Sequence, residues 1–305
     1  MATNAYEIVT DRITSILAEG TVPWRKPWKV EINGPRNLEG RFYRGINVLI
    51  LLASGYESPI WMTFNQAREH GGCVKKGEKA TPVILWKTDA VKVEDPETGE
   101  TKLRKRFFLR YFSVFNLSQT EGVKVPAKTL AGLTELQTVD PIESAESIIA
   151  DMPSAPPIFW DSRRAYYRPS RDEVHVPSRD SFESPEAVYA TLFHELGHST
   201  GHESRLKRPG ITDLHSFGDE MYSREELVAE MTSAFLCGET GIAPKTLDNT
   251  AAYIANWIGA LKQDPKALVV AAGQAQRAAD YILGRVAASV EPISDAEVKV
   301  EAVAA

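Results

Sequence analysis

The residues with the clearest chemical potential lie in the segment TLFHELGHSTGH, which contains His194, Glu195 and His198. Histidines four residues apart on a helix share one face, so both imidazoles can bind the same metal ion. Glu195 directly follows the first histidine and is placed to act as general base for an attacking water. The motif therefore predicts a metal site with His194 and His198 as ligands and Glu195 as the catalytic base.

The sequence around this motif is that of a capped helix over 185–200. Ser184 is a favourable N-cap, Pro185 suits the first helical position, and Gly201 can end the helix. Apolar residues at helical spacing can pack this helix into a core. The setting favours a metal site over the alternative of two ordinary helix histidines.

A catalytic zinc site usually has three protein ligands and one open position. The segment SREELVAEMTSAFL offers Glu226 and Glu230 on one helical face, whereas Glu225 points elsewhere. Its Glu-x-x-Ala-Glu run resembles the third-ligand helix of gluzincin metallopeptidases, which implies Glu226 as the metal ligand and Glu230 as the support of a ligand imidazole. The reverse assignment stays open, and Ser223 with Glu226 also matches a capping box. His202 is the weaker alternative ligand, because a helix-ending glycine precedes it.

The chemistry expected of this site is hydrolysis of a peptide amide in an unknown protein substrate. Zinc is the expected metal, with Mn2+ or Co2+ as substitutes. The segment EVHVP at 173–177 precedes the metal-binding helix. We predict that it forms the edge strand along which an extended peptide binds.

The two halves of the chain differ in charge. Residues 1–130 contain 20 Lys and Arg against 14 Asp and Glu, while residues 131–305 contain 15 against 27. This asymmetry indicates that the first half binds a polyanion and the second half does something else. An attraction between the two halves is the alternative.

Aromatic and cationic residues alternate in the first half, which holds 14 of the 27 aromatic residues. Proteins that bind single strands combine a basic groove for phosphates with aromatic faces for bases. The alternative is a small domain with an aromatic core and a solvated basic surface, and the pattern does not distinguish DNA from RNA. The residues predicted to contact the nucleic acid are Trp24, Arg25, Lys26, Trp28, Arg41, Tyr43, Arg44, Asn47, Lys75, Lys76 and Lys79.

Periodicity and turn residues predict an α+β chain with two domains, each expected to fold alone. A small α+β domain over 1–130 precedes a mainly helical domain over 131–305. The predicted helices cover 6–18, 61–72, 143–151, 185–200, 224–236, 250–262 and 265–283, with a further helical segment after an extended start in 41–55. Strands are predicted at 81–88 and 107–115 around a hairpin connection, and β-rich pieces at 157–160, 165–168 and 173–177.

The remaining composition places the protein in the cytoplasm. Only Cys73 and Cys237 are present, which argues against a disulfide framework. No apolar run approaches the roughly 20 residues of a membrane span, and the acidic, amphipathic N-terminus does not resemble a secretory signal.

Ordered blocks along nearly the whole chain resemble the ArdC-type antirestriction proteins of conjugative plasmids. They include PWRKPW, RFYRGINVL, WMTFNQAREHGGCVKKGEKATPVILWK, YFSVFNLSQTEG, YATLFHELGHSTGHESRL and EELVAEMTSAFL. The first of these blocks are also similar to the front part of plasmid TraC-type primases. The resemblance implies a single-stranded-DNA-binding domain followed by a zincin-like metallopeptidase domain, and a role in protecting incoming plasmid DNA from host restriction during conjugation.

Two other functions remain open from the sequence. One is a DNA-coating protein whose metal site is structural or vestigial. The other is a DNA-sensing metallopeptidase regulator. A component of the restriction system is the candidate protein substrate of the leading interpretation.

Overall fold

The structure is a computed structural model that describes residues 5–24, 34–94, 101–134, 140–212, 220–242 and 251–285. Three predicted DNA-contacting residues, Arg25, Lys26 and Trp28, lie outside these ranges. The helices are α1 (Ala5–Ala18), α2 (Ile46–Ala53), α3 (Phe64–Glu69), α4 (Ala127–Thr134), α5 (Pro141–Ala150), α6 (Pro185–Ser199), α7 (Pro209–Thr212), α8 (Glu220–Thr240), α9 (Ala251–Gln263) and α10 (Ala267–Ile282). The strands are β1 (Arg36–Asn37), β2 (Ile60–Met62), β3 (Cys73–Val74), β4 (Thr81–Glu94), β5 (Thr101–Asn116), β6 (Thr120–Glu121), β7 (Ile158–Phe159), β8 (Tyr166–Arg168) and β9 (Glu173–His175).

The first half of the chain is built on a four-stranded sheet in the order β1-β2-β5-β4. Strands β4 and β5 form a long antiparallel ribbon whose register runs from Thr81 opposite Val114 to Glu94 opposite Thr101. The ribbon extends beyond the predicted strands because backbone pairing continues through a polar, alternating sequence. Strand β2 pairs with β5 on its other side, and the short β1 runs parallel to β2.

Residues 61–72, predicted to be helical throughout, divide into a strand and a shorter helix. The reason is local, because Thr63 and Gln66 form a capping box that starts α3 at Phe64. The preceding Ile60–Met62 is then free to pair in the sheet, where all three residues are buried. The prediction of one continuous helix was therefore wrong at its first turn.

The second half combines a three-stranded sheet, in the order β7-β9-β8, with packed helices. Helix α8 lies at the centre of this half, since it packs against both α6 and α10. The α+β class and the six long predicted helices of the two halves are confirmed, although α8 is longer at both ends than the predicted 224–236. None of the helices in the described ranges combines the length and the apolar character that a bilayer span requires.

One hydrophobic core joins the two halves of the sequence. It contains Ile13 of α1 and Ile50 of α2 together with Leu227 and Met231 of α8 and Leu268 of α10. All five side chains are at most 1% exposed. The expectation that each half folds alone conflicts with this core, because separating the halves would expose these side chains to water.

This shared core leads to a prediction for Ile13→Ala. Truncating a fully buried isoleucine leaves a cavity and should lower the free energy of unfolding by about 2 to 5 kcal/mol. The two cysteines provide the readout, because Cys73 is exposed and Cys237 is buried in the second half. In moderate denaturant the variant should label faster at Cys237, measured with a thiol reagent and mass spectrometry.

The matched control is Asp11→Ala, at an exposed position of the same helix. It should leave the labelling rate of Cys237 close to that of the unmodified protein. If Ile13→Ala lowers the stability of the first half but leaves Cys237 equally protected, the two halves unfold independently and the shared core does not couple them.

Candidate metal centre

Helix α6 carries the predicted motif and begins where the sequence indicates. The Ser184 side chain accepts a hydrogen bond from the Ala187 N–H, and Pro185 occupies the first helical turn. The chain leaves the helix after Ser199, where the Cβ of any other residue at Gly201 would lie 2.6 Å from Ile211 Cγ1. Gly201 is thus required for the close return of the following loop.

Helices α6 and α8 approach each other closely at Gly197. A Cβ at this position would lie 3.2 Å from Ala229 Cα and 3.2 Å from Thr232 Cβ. Such distances are tighter than most Cβ contacts, so a side chain here would require α8 to shift by a few tenths of an ångström. The close contact brings the histidines of α6 within reach of the glutamates of α8.

The side chains of His194, His198 and Glu226 converge on one point. The two Nε2 atoms are 3.1 Å apart. Glu226 Oε2 lies 3.6 Å from His194 Nε2, and Glu226 Oε1 lies 3.4 Å from His198 Nε2. Ligands at about 2.0 to 2.2 Å from a tetrahedral zinc ion are separated by about 3.3 to 3.6 Å, so this triangle fits a divalent metal with N and O ligands.

Within the described residues these three form the one group of metal-binding side chains whose donor atoms all lie within 4.8 Å of one another. Burial of Glu226 favours its neutral form, but hydrogen bonds to His194 and His198 and their charges hold its pKa far below the usual range. A carboxylate that stays ionised beside two imidazoles is a suitable metal ligand. The structure therefore brings together the three residues predicted to bind metal.

Glu225, expected to point elsewhere, lies behind His198 on the side away from the triangle. Its Oε1 is 3.4 Å from His198 Nδ1. Burial favours the neutral form of Glu225, but the charge and hydrogen bonds of Arg208 hold its pKa below the usual range. Glu225 thus performs at His198 the supporting role predicted for Glu230, whose own role stays a prediction.

Arg208 makes the supporting contact to Glu225 and also ends α6. Its Nε donates to Glu225 Oε2 at 3.0 Å and its Nη2 to Glu225 Oε1 at 2.5 Å. It further donates to the Gly197 carbonyl at 2.8 Å and to Thr200 Oγ1 at 2.6 Å. Sequence analysis missed Arg208 because nothing in the local sequence shows which helix it faces.

Glu195 lies on the same helix as the two histidines and is 7% exposed. Burial raises its pKa above the usual range, against the opposing effect of the charges on His198 and His194. A raised pKa suits a carboxylate that takes up and releases a proton near neutral pH. The position of Glu195 is consistent with the predicted base.

The three donors and Glu195 line an open cleft of about 760 Å³. One side of this cleft is formed by Tyr166 and Tyr167 of β8. The predicted edge strand at 173–177 was wrong, since β9 is the central strand and pairs with both β7 and β8. In the described part of the sheet, β8 is the edge strand beside the cleft.

A buried arginine fixes β8 against α6. The side chain of Arg205 is 1% exposed and forms an ion pair with Asp172 in the β8–β9 turn. It also donates to the carbonyl of Ser199 at 2.8 Å, at the end of α6. The Tyr167 hydroxyl donates to Asp172 Oδ1 at 2.7 Å. These contacts set the distance between the edge strand and the metal-binding helix.

His202 also lines the cleft, but its Nδ1 pairs with Ser204 Oγ at 2.8 Å, away from the donor triangle.

Of the residues predicted to contact DNA, Trp24 and Asn47 are buried and Tyr43 is half-buried, and all three have contacts within the fold. Trp24 is 4% exposed and packs edge-on against Trp257, with ring centroids 6.1 Å apart. Asn47 is 6% exposed and exchanges two hydrogen bonds with the Ile84 backbone at 2.7 and 2.8 Å. Tyr43 packs against the edge of a core cluster, where partial burial raises its pKa to about 12. Burial leaves Trp24 and Asn47 little surface for contact with DNA, whereas Tyr43 stays a prediction. The sequence does not show which aromatic or polar face is turned inward.

The lysines and arginines predicted to contact DNA differ in their surroundings. Arg44 forms an ion pair with Asp280 of α10, so it links the two halves. Lys75 donates to the Ser118 carbonyl at 2.8 Å and remains exposed. Arg41, Lys76 and Lys79 are exposed and stay candidates for phosphate contacts.

Two sequence profiles of known protein families match this chain. The sequence profile described as the N-terminal domain of anti-restriction factor ArdC matches residues 3–115, and that of a zincin-like metallopeptidase matches residues 143–274. The crystal structure of the antirestriction ArdC protein from the R388 plasmid, in its metal-free form, is 36% identical, with a TM-score of 0.69 over 92% of this chain and 97% of that chain. The chain belongs to the ArdC antirestriction family.

Other relatives of this ArdC-family chain add detail. The Mn(II)-bound structure of the R388 ArdC protein is 35% identical with a TM-score of 0.67, covering 93% of this chain and 98% of that one. DNA primase TraC of Escherichia coli is 38% identical over 298 residues, which are 91% of this chain and 27% of TraC. The chain therefore spans about a quarter of that relative's length. Uncharacterized protein y4eC of Sinorhizobium fredii is 34% identical over 292 residues, 92% of each chain.

The donor triangle predicts an order of effects on metal binding by this ArdC-family protein. His194→Ala, His198→Ala and Glu226→Ala each remove one donor and should abolish tight binding of one divalent ion per chain. Glu225→Gln should weaken binding by about 10- to 100-fold, because it loses the charged support of His198. Competition with a coloured chelator measures these affinities.

The matched control is His202→Ala, which removes a histidine of the same cleft that lies outside the triangle. It should retain metal binding. Stoichiometric binding by the His194→Ala/His198→Ala double variant would end this assignment, and a larger loss for Glu230→Ala than for Glu226→Ala would exchange their roles.

Metal affinity should also rise with pH. Burial of His198 disfavours its charged form, but hydrogen bonds to Glu225 and Glu226 raise its pKa to about 10 in the metal-free protein. Metal must displace this proton, so apparent affinity should fall by about tenfold for each pH unit below that pKa and each displaced proton. Titration with Mn2+, followed by the electron paramagnetic resonance of the free ion, measures this slope. Affinity that does not change between about pH 6 and pH 8 would show that no proton is displaced.

Proposed function

We propose that this protein protects incoming plasmid DNA from host restriction during conjugation, by binding single-stranded DNA and by acting as a zinc-dependent metallopeptidase. The first half supplies the DNA-binding surface and the second half the metal centre. Restriction acts in the cytoplasm, where the protein is proposed to work. The protein substrate is proposed to be a component of the restriction system.

The observation that carries the peptidase proposal is the triangle of His194, His198 and Glu226 with the buried Glu195 in the same cleft. A divalent ion held by these donors would lower the pKa of water and polarise a substrate carbonyl. Glu195, with its raised pKa, accepts the proton of the attacking water and passes it to the leaving amine. Zinc is proposed as the ion, and the Mn(II)-bound form of the R388 ArdC protein supports binding of a divalent metal.

The charge of the cleft favours a peptide over a nucleic acid as its substrate. Four glutamates line it, including the exposed Glu203, and no lysine or arginine does so among the described residues. Apart from the proposed metal ion, the lining offers a phosphate no cation, so a DNA strand is proposed to bind elsewhere on the protein. An extended peptide is proposed to bind along the edge strand β8 instead.

The DNA-binding part of the proposal is supported by the exposed cations of the first half, including Arg41, Lys76 and Lys79. It is also supported by the name of the TraC relative, a DNA primase that shares this region within a much longer chain. Steep loss of affinity with salt is expected, since each phosphate contact releases counterions.

The experiment that tests the proposal compares Glu195→Gln with the unmodified protein. The variant removes the base but none of the donors, so it should bind metal and single-stranded DNA normally. It should lose protection of a plasmid mated into a restricting host, because general-base catalysis contributes about 100- to 10,000-fold. Transfer frequency, metal content and oligonucleotide affinity are measured on the same proteins.

Glu183→Gln is the control, because Glu183 is exposed just before α6 and does not line the cleft. It should protect like the unmodified protein. Full protection by Glu195→Gln would contradict the peptidase proposal and favour a DNA-coating protein with a structural metal. Absence of single-strand binding by the unmodified protein would contradict the other half of the proposal.

A further inference from the structure

Phe42 is the most exposed large hydrophobic side chain among the described residues, at 49%. Its ring is covered on one side by Arg36, whose guanidinium carbon lies 4.4 Å from the ring centroid. Arg36 itself is only 3% exposed. The ring therefore rests on a buried cation and leaves its remaining surface open to solvent.

The backbone explains why Phe42 faces outward and Tyr43 inward. Arg36 and Phe42 form an antiparallel bridge, and the Tyr43 N–H donates to the Pro35 carbonyl at 2.8 Å. Neighbouring residues in extended chain point to opposite sides. Tyr43 packs against a core cluster, and Phe42 on the opposite side of the chain lies on the surface.

The loop that carries Phe42 is held in place from two directions. Asn37 Oδ1 accepts the N–H groups of Glu39 at 3.1 Å and Arg41 at 2.9 Å. Thr129 of α4 donates its hydroxyl to the Leu38 carbonyl at 2.8 Å. An aromatic ring on such an anchored loop loses little conformational freedom when it stacks on a ligand.

Exposed cations lie on this loop and on the two segments that contact it. Arg41 is the residue before Phe42, and Lys128 is the residue before the anchoring Thr129. The backbone N–H of Lys124 donates to the His70 carbonyl at 3.0 Å. The side chains of all three cations are exposed. The one nearby acid in this loop, Glu39, lies 4.0 Å from His70 Nε2. We call Arg36, Arg41, Phe42, Lys124 and Lys128 the Phe42 platform.

We propose that the Phe42 platform is a base-binding site, in which a nucleobase of single-stranded DNA stacks on Phe42 and the adjacent phosphates contact Arg41, Lys124 and Lys128. This inference rests on the proposed binding of single-stranded DNA. Every base has a π-face, so stacking on one ring with phosphate contacts alongside gives binding without sequence preference. A scattered surface phenylalanine has no such cation behind it and no such cations around it.

The test is made on the full-length protein with a fluorescent 20-nucleotide oligodeoxythymidine. Phe42→Ala should weaken binding by about 5- to 150-fold, the effect of losing one base stack, without changing the salt dependence. Phe42→Trp should restore affinity, whereas Phe42→Leu should not, because leucine keeps the apolar bulk but has no π-face. Arg41→Ala should reduce the slope of log affinity against log salt by about 1.

Phe64→Ala is the matched control, because Phe64 is 47% exposed in the same half but outside the platform. A 5-iododeoxyuridine oligonucleotide photocross-linked to the unmodified protein should attach at Phe42, located by mass spectrometry. Normal binding by Phe42→Ala or Phe42→Leu, or cross-links only outside the platform, would overturn this site while leaving single-strand binding intact. No binding by the unmodified protein would instead refute the proposed function.

Discussion

Arg208 and Glu225 form an ion pair in which each side chain is 6% exposed. Removing two charges from water costs several kcal/mol per ion unless nearly all their hydrogen bonds are made. Here the guanidinium satisfies Glu225 with two donors and uses others for the Gly197 carbonyl and the Thr200 hydroxyl at the end of α6. Glu225 in turn reaches His198 Nδ1, so this pair fixes the helix end, the ring orientation and the charge behind one metal ligand.

The parts of this centre that depend on one helix could be predicted from the sequence. Ser184, Pro185 and the four-residue spacing of the histidines are local signals, and each has its expected place. Glu226 followed from a pattern within α8. The partnership of Glu225 with Arg208 depends on how α8 packs against α6 and the loop after it, including the close approach at Gly197. The order of the strands in a sheet also depends on contacts between separate segments. The sequence prediction therefore made β9 the edge strand, although β8 lies at the edge beside the cleft.

In the first half, composition alone does not show which aromatic and polar residues lie at the surface. An aromatic residue beside a cation has the same appearance in sequence whether its ring lies in the core or on the surface. Trp24 contacts Trp257 from a distant helix, and Asn47 bonds to a strand 37 residues away, so neither environment is encoded nearby. That Phe42 and Tyr43 point to opposite sides is a local property of extended chain. Which of the two points outward depends on the pairing of Phe42 with Arg36.

Arg44 shows how the shared core constrains DNA binding. Its partner Asp280 is 8% exposed in the side chain and also accepts a hydrogen bond from Gln276 at 3.3 Å. Gln276 accepts the Gly45 N–H at 2.9 Å, so the start of α2 is tied to α10 at two points. A phosphate that bound Arg44 would leave the buried carboxylate of Asp280 without its cation. This costs more free energy than displacing water from an exposed arginine such as Arg41. Phosphate binding at Arg41 avoids this cost, which favours a path for the proposed single strand over the exposed loop rather than along the contact between the halves.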